Sequence, residues 1–305
     1  MSEAETEPLI AIYYAAPTLL APTASPFVLK LLTYLRMTGL KYKSVHTLKM
    51  SSKGKHPFIV YKGKEIADST LIIQFLNNEF NKDLNTSLNA VERATSLAFQ
   101  RLCEENLVWC VVHDRWIVNT DAFLGQLEMS NMMKKFMSFY VSVRFRRVQQ
   151  ANLHGHGIGR HSDEEILQIG KRDLTALSNF LADKDFFMGS EPTLLDCTSF
   201  GLLEQIIECL PGSEYEQFIK EKLPNLVAYT ERIKEKFWSD WKEQCAQKKA
   251  KHVNQPKSDK EGETLEKVKV EGQNGSGDAY AKSSEEEDAT VQEKKTTGML
   301  PVTDS

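Results

Sequence analysis

Long hydrophobic runs are missing from this 305-residue chain, and so is any excess of positive charge. Its longest apolar stretches, such as Leu107 to Val112, fall far short of the ~20 residues a membrane helix needs, so no transmembrane segment is expected. Net charge is −4 with a pI near 6.0, which argues against a sequence-independent grip on nucleic-acid phosphates and removes nucleic acid as a partner. Cysteine is sparse. Cys103, Cys110, Cys197, Cys209 and Cys245 are scattered and odd in number, with no C-x-x-C, so neither a disulfide framework nor a thiolate zinc site is indicated, and a reducing, cytoplasmic setting fits best. Residues 1–8 are acidic, lack the basic and apolar regions of a secretory signal, and are expected to be disordered. Aromatic residues fail near the other end, where Tyr280 is the only one in 246–305. There Lys alternates with Glu, Ser and Gly, and so little buried surface cannot offset the entropy of ordering, so a disordered tail is expected.

The remaining stretch is long enough for roughly two domains. Leu9 to Tyr14 is almost continuously apolar and reads as a strand in the middle of a sheet. Ser25-Pro26 supplies an N-cap and a first-turn proline to a helix that runs to Thr38 and stops at Gly39, with Phe27, Leu31, Tyr34 and Leu35 on its apolar face. Tyr42 to Thr47 is a second strand, and Lys49 to Lys55 a basic loop. Phe58 to Tyr61 and Lys64 to Ala67 form a hairpin across Lys62-Gly63, after which the period changes and Asp68-Ser69 caps a helix carrying Leu71, Ile72, Phe75 and Leu76. Pro57 stands at the mouth of the hairpin, where a proline gives no N–H to the ladder. The order β-α-β-loop-β-β-α over residues 9–80 is the layout of a thioredoxin-like α/β domain.

Residues 81–88 are rich in turn formers and read as a linker, and from 89 to 245 helical periods replace strand signals. One long helix is expected over 89–118, with Leu97, Phe99, Leu102, Leu107, Cys110 and Val111 buried. A second is expected over 127–150, whose Met129, Met132, Met133 and Met137 read as core filling rather than an adaptable surface. A glycine-rich turn with His154, His156 and His161 follows, and Ser162 with Glu165 forms a capping box. The histidines with Asp163 have metal-binding chemistry, but their spacing matches no recognised site, so no metal is assigned. Thr193 and Asp196 repeat the capping logic at the head of an apolar helix.

These motifs carry a resemblance. Pro57-Phe-Ile-Val-Tyr, then Gly63, then Ile66-Ala-Asp-Ser-Thr-Leu-Ile-Ile resembles the second half of the thioredoxin-like domain of glutathione transferases. Gly189-x-x-Pro192-Thr193-x-x-Asp196 resembles the capping box inside that family's all-helical domain, and Leu223 to Trp241 its last helix. Together with Ser25 to Gly39 and Gly157 to Ile166, the chain from 9 to 245 resembles the failed axon connections group, which is related to metaxins and cadmium-responsive transferase-like proteins. The resemblance implies an α/β thioredoxin-like N-terminal domain (9–80), a linker (81–88) and an all-α C-terminal domain (89–245). It implies glutathione as ligand or cosubstrate, with a cis Pro57, the backbone of His56 on the cysteinyl part, and Asp68 and Ser69 on the γ-glutamyl part; those two residues can cap a helix at the same time.

Ser25 takes the place of the catalytic hydroxyl at the head of the first helix, where the dipole favours a thiolate, while also serving as that helix's cap. Tyr13 and Tyr14 are alternatives at the end of the first strand. Two functions stand open: a transferase-fold protein acting through protein partners and weak thiol-ligand binding in axon development or stress response, and an active glutathione transferase. A homodimer is compatible with either. Unlike membrane-anchored metaxins, the chain ends in a hydrophilic segment.

Overall fold

The structure, a computed structural model, describes residues 9–128 and 130–246, all within one compact unit. The expected disordered segments at 1–8 and 247–305 and the side chains of Met129 and Met137 lie outside the described residues.

Four strands form one mixed sheet in the order β2-β1-β3-β4: β1 Ile10–Tyr14, β2 Tyr42–His46, β3 Phe58–Tyr61 and β4 Lys64–Ala67. β1 is central, parallel to β2 and antiparallel to β3, as its apolarity predicts. Only one of its faces is fully buried, through Ile10, Ile12 and Tyr14. The hairpin turn works because Lys62 and Gly63 take φ of 49° and 76°, the left-handed region that glycine enters without steric cost. Helices α1 (Pro26–Thr38) and α2 (Ser69–Phe80) complete this half. Burial on α1 is wider than its sequence pattern suggests, covering every residue from Val28 to Leu35. The cause is α9 (Leu194–Ile207), which lies against α1 so closely that a Cβ on Gly201 would sit 2.6 Å from the Pro26 carbonyl oxygen.

The expected helix over 89–118 is one continuous helical run with two π-helical interruptions: α3 (Ala90–Arg101), a π segment Leu102–Leu107, α4 (Val108–His113) and a π segment Asp114–Val118. Its inward face is Ser96, Gln100, Cys103 and Leu107, whereas Leu97 is exposed and Phe99 and Leu102 are only half-buried, correcting the expected core. Polar residues take the inner stripe here because Gln100 Nε2 donates to Ser96 Oγ at 3.1 Å, which satisfies both groups inside.

After α5 (Thr120–Gly125), the second expected helix begins later and ends later, as α6 (Asn131–Tyr140), a π segment Val141–Phe145 and α7 (Arg146–His156). Met132 and Met133 are exposed, so the assignment of this stripe to core filling is corrected for those two residues. The glycine-rich stretch is also less of a loop than expected. α7 continues through Gly155 to His156, and the break comes at Gly157, with φ of 107°.

Four further helices close the body: α8 (Asp163–Leu181), α9, α10 (Glu214–Lys222) and α11 (Pro224–Phe237), followed by the short α12 (Trp241–Gln244). The Ser162 and Glu165 box opens α8, Glu165 N–H reaching Ser162 Oγ at 3.2 Å and Ser162 N–H reaching Glu165 Oε2 at 2.8 Å. α9 is buried from Leu195 to Ile207, including its polar residues Asp196, Thr198, Ser199, Glu204 and Gln205. No helix among the described residues is long and apolar enough to cross a membrane.

Candidate functional site

A cleft of about 660 Å³ opens where the first turn of α2 faces the run α3–α4. One wall comes from Lys55, His56, Asp68, Ser69 and Leu71; the other from Arg101, Glu104, Glu105, Val108, Trp109 and Val112; Phe27 of α1 sits at its base. Of these residues the sequence singles out His56, Asp68 and Ser69 on the first wall and none on the second. Glu104 and Glu105 reach the cleft from the π segment, a wide turn of the kind often found at functional sites.

His56–Pro57 is a cis peptide bond, as the resemblance implies. Pairing of β3 with β1 and β4 begins at Phe58, so the backbone of His56 lies outside the ladder and beside the cleft. The His56 ring is turned away to Lys49, with Nε2 at 2.7 Å from its carbonyl oxygen. Asp68 caps α2 with φ of 86°. Its Oδ1 accepts from Thr70 N–H at 3.1 Å and Leu71 N–H at 3.5 Å, and its Oδ2 accepts from Lys55 Nζ at 3.0 Å. Burial pulls this carboxyl up, but the Lys55 ammonium and the two N–H groups outweigh it and hold the pKa below the ordinary value. Ser69 is buried and lines the cleft at the first residue of the helix. Because Asp68 occupies the Thr70 and Leu71 N–H groups, an incoming anion meets Ser69 rather than the whole helix terminus.

Beneath the cleft, Lys30 is buried with Glu104. Lys30 Nζ donates to Glu104 Oε1 at 2.6 Å and to Thr70 Oγ1 at 2.9 Å, and Arg101 reaches the other oxygen of Glu104 at 3.3 Å. One ammonium thus ties α1, the first turn of α2 and the π segment together. His156 braces the far wall: its ring stacks on Trp109 with centroids 4.9 Å apart, and Nε2 lies 2.9 Å from the Glu105 carbonyl.

Ser25 caps α1, its Oγ accepting from Val28 N–H at 3.4 Å; Phe27, not Ser25, lines the cleft. Arg115 fixes the loop before it, donating to Ala24 O at 2.6 Å and to Gln205 Oε1 at 3.0 Å, while Gln205 holds Thr23 O at 3.1 Å. Tyr13 stacks on Phe58 with centroids 4.7 Å apart, and Tyr14 Oη donates to Ser44 Oγ at 2.8 Å. Burial pushes the Tyr14 hydroxyl above its ordinary pKa, and neither tyrosine lines the cleft.

His154, His161 and Asp163 line a separate cleft with His113, which lies about 40 or more residues away in sequence. His113 Nε2 lies 3.0 Å from Asp163 Oδ1, and burial lowers the His113 pKa against the pull of that carboxylate. Among the described residues, no three His, Cys, Asp or Glu side chains converge as a metal site. All five cysteines are free and buried, and burial raises each thiol well above its usual pKa.

In the helical half, Asp196 is fully buried and accepts from four donors. Its Oδ2 takes Thr193 N–H at 2.7 Å and Thr193 Oγ1 at 2.9 Å; its Oδ1 takes Phe187 N–H at 2.9 Å and Tyr229 Oη at 3.2 Å.

A thioredoxin-like sheet with a cis proline beside a capped helix, joined to an all-helical half, defines the glutathione-transferase fold. Residues 26–123 match the Glutathione S-transferase N-terminal domain family, and residues 170–233 match the Glutathione S-transferase, C-terminal domain family. The chain is 37% identical over 281 residues to Failed axon connections of Drosophila melanogaster, covering 85% of this chain and 66% of that protein's length. It is 31% identical over 238 residues to Isoprene-epoxide--glutathione S-transferase of Rhodococcus sp. (strain AD45), covering 75% of this chain and 99% of that enzyme. Metaxin-1 of Mus musculus is 29% identical over 217 residues, covering 67% of this chain and 68% of that protein. Among solved structures, a glutathione S-transferase from Methylobacterium radiotolerans in complex with glutathione sulfonate aligns with a TM-score of 0.52 at 16% identity, over 80% of this chain and 99% of that one. The chain belongs to the glutathione S-transferase family, in the branch that includes failed axon connections and the metaxins.

Proposed function

We propose that this protein binds glutathione in the α2–α4 cleft and acts through that thiol ligand and protein partners, in axon development or a stress response, in the cytoplasm. The observation that carries the reading is the first wall of the cleft. The backbone of His56 stands outside the sheet ladder, where an extended cysteinyl segment can add as a further strand. The γ-glutamyl carboxylate meets Ser69, and the ammonium meets Asp68, whose carboxyl is held ionised by Lys55. Five free cysteines support a reducing compartment, and we take the domain boundary at residues 81–88. Catalysis is the second reading, favoured by the alignment over 99% of an epoxide-conjugating relative. In that case Ser25 is the hydroxyl that activates the thiol, at the head of α1.

Titration calorimetry with millimolar glutathione tests the first reading. Weak but measurable heat is expected from the wild type, with the affinity reduced about ten- to hundredfold in Ser69→Ala, the value of a hydrogen bond to a charged group. Absence of heat from the wild type overturns ligand binding. A conjugation assay on an epoxide then decides the second reading, since activity lost in Ser25→Ala with binding retained assigns catalysis to that hydroxyl.

A further inference from the structure

The helical run Asn131–His156 carries a surface that the cleft does not use. Met132, Met133, Phe136, Tyr140, Val143 and Val148 are between 42% and 81% exposed, and the first five recur at the spacing of one helix face. Large apolar side chains gathered on one exposed face mark an interaction surface, whereas scattered ones do not. Lys135, Arg144 and Arg147 are exposed along the same run. In a chain of net charge −4, the whole stretch from 129 to 162 holds Lys134, Lys135, Arg144, Arg146, Arg147 and Arg160 and not one Asp or Glu.

Charge and apolarity together select the occupant. A second copy docked by two-fold symmetry sets this basic stretch against itself, with no acid inside it to pair, and like charges at contact repel. The chain's own acidic segment Glu285 to Asp288 matches the charge, but within five residues on either side it has only Tyr280 and Val291 as large apolar groups, too few to cover the stripe. An anionic bilayer supplies both parts: phosphate and carboxylate headgroups for the Lys and Arg side chains, and an acyl boundary for Met, Phe, Tyr and Val. The run is about 40 Å long at 1.5 Å per residue, and Lys134, Lys135, Arg144, Arg146 and Arg147 fall within it, so it suits lying in the headgroup plane rather than crossing.

We propose that the Asn131–His156 run is a reversible docking surface for anionic lipid membranes. The test is flotation of the full chain with vesicles of phosphatidylcholine alone or with about 30 mol% phosphatidylserine, at low and high salt. Partitioning onto the anionic vesicles is expected to exceed that onto neutral ones by about tenfold or more and to fall as salt rises. A Lys135→Glu/Arg147→Glu variant is expected to lose the preference for anionic lipid, and a Met132→Ser/Phe136→Ser variant to lose retention on either vesicle. Both change exposed residues outside the cleft, so circular dichroism and glutathione titration should match the wild type. Equal partitioning onto neutral and anionic vesicles, or none onto either, overturns the proposal. So does a lipid-free dimer, seen by sedimentation, that Phe136→Ser dissolves, since it would give the face to a second copy.

Discussion

Two helices in this protein begin with the same pair of residue types and use them to opposite ends. At α2 the acidic cap Asp68 precedes Ser69; at α9 the hydroxyl Thr193 precedes Asp196 by three residues. Both carboxylates satisfy first-turn or cap N–H groups, so each stabilises its helix in the same local way. Their surroundings differ. Asp68 opens onto a cleft, shares its charge with the exposed Lys55, and has its pKa held down. Asp196 lies wholly inside, makes no ion pair among the described residues, and has its pKa raised by burial against the pull of four donors. Of the two capping motifs, only the one at α2 keeps a face open to a cleft, and that is why the proposed ligand contacts fall there.

The seam under the cleft offers the largest test of that contrast. Glu104→Ala leaves the Lys30 ammonium buried without its carboxylate and should cost about 3 to 5 kcal/mol in urea unfolding, because breaking a buried pair strands the remaining charge. Since Lys30 also holds Thr70 beside Ser69, glutathione affinity should fall with it; unchanged affinity would show that the seam does not position the α2 turn.

Asp196→Ala comes next, at about 3 kcal/mol, because it leaves several buried donors without a partner. Here calorimetry should find ligand affinity unchanged. A loss of binding with full stability would reverse the roles of the two caps.

Ser25→Ala should cost about 1 kcal/mol or less, the value of a cap with a long 3.4 Å hydrogen bond, and leave glutathione binding nearly intact. Thermal melts and calorimetry on the same sample check both.

The smallest effect is in pH. Asp68 has a depressed folded pKa, so its stabilisation is fully present above the ordinary value of 3.8 and is lost as pH falls through the folded value. Asp196 runs the other way, since a raised folded pKa means stability declines as pH climbs from 3.8 through it. Urea midpoints between about pH 5 and 2 should therefore show Asp68→Asn flattening the acid-side loss by on the order of 0.5 kcal/mol, a value discounted for the solvent screening of a partly exposed pair. A steeper acid limb in that variant would contradict the assignment.

Local chemistry was enough to read the succession of strands and helices, the hairpin at Lys62-Gly63, the capped starts of α1, α2, α8 and α9, and the family, because each rests on residues adjacent in sequence; the strand order rests on pairings between distant segments. His56, Asp68 and Ser69, which the family resemblance singled out, do line the cleft together, and they lie in one short stretch of chain. The second wall was not legible, since Glu104, Glu105 and Trp109 face the cleft only after a π segment has shifted the helical phase, and no periodicity announces an extra residue in a turn. Lys30 reads as one more polar residue on a helix until Glu104 and Thr70, far away in sequence, close over it. Met132 and Met133 show the reverse failure: helical spacing identifies a stripe, but whether it turns toward the core or toward solvent depends on which neighbours pack against it, and that only the tertiary structure decided.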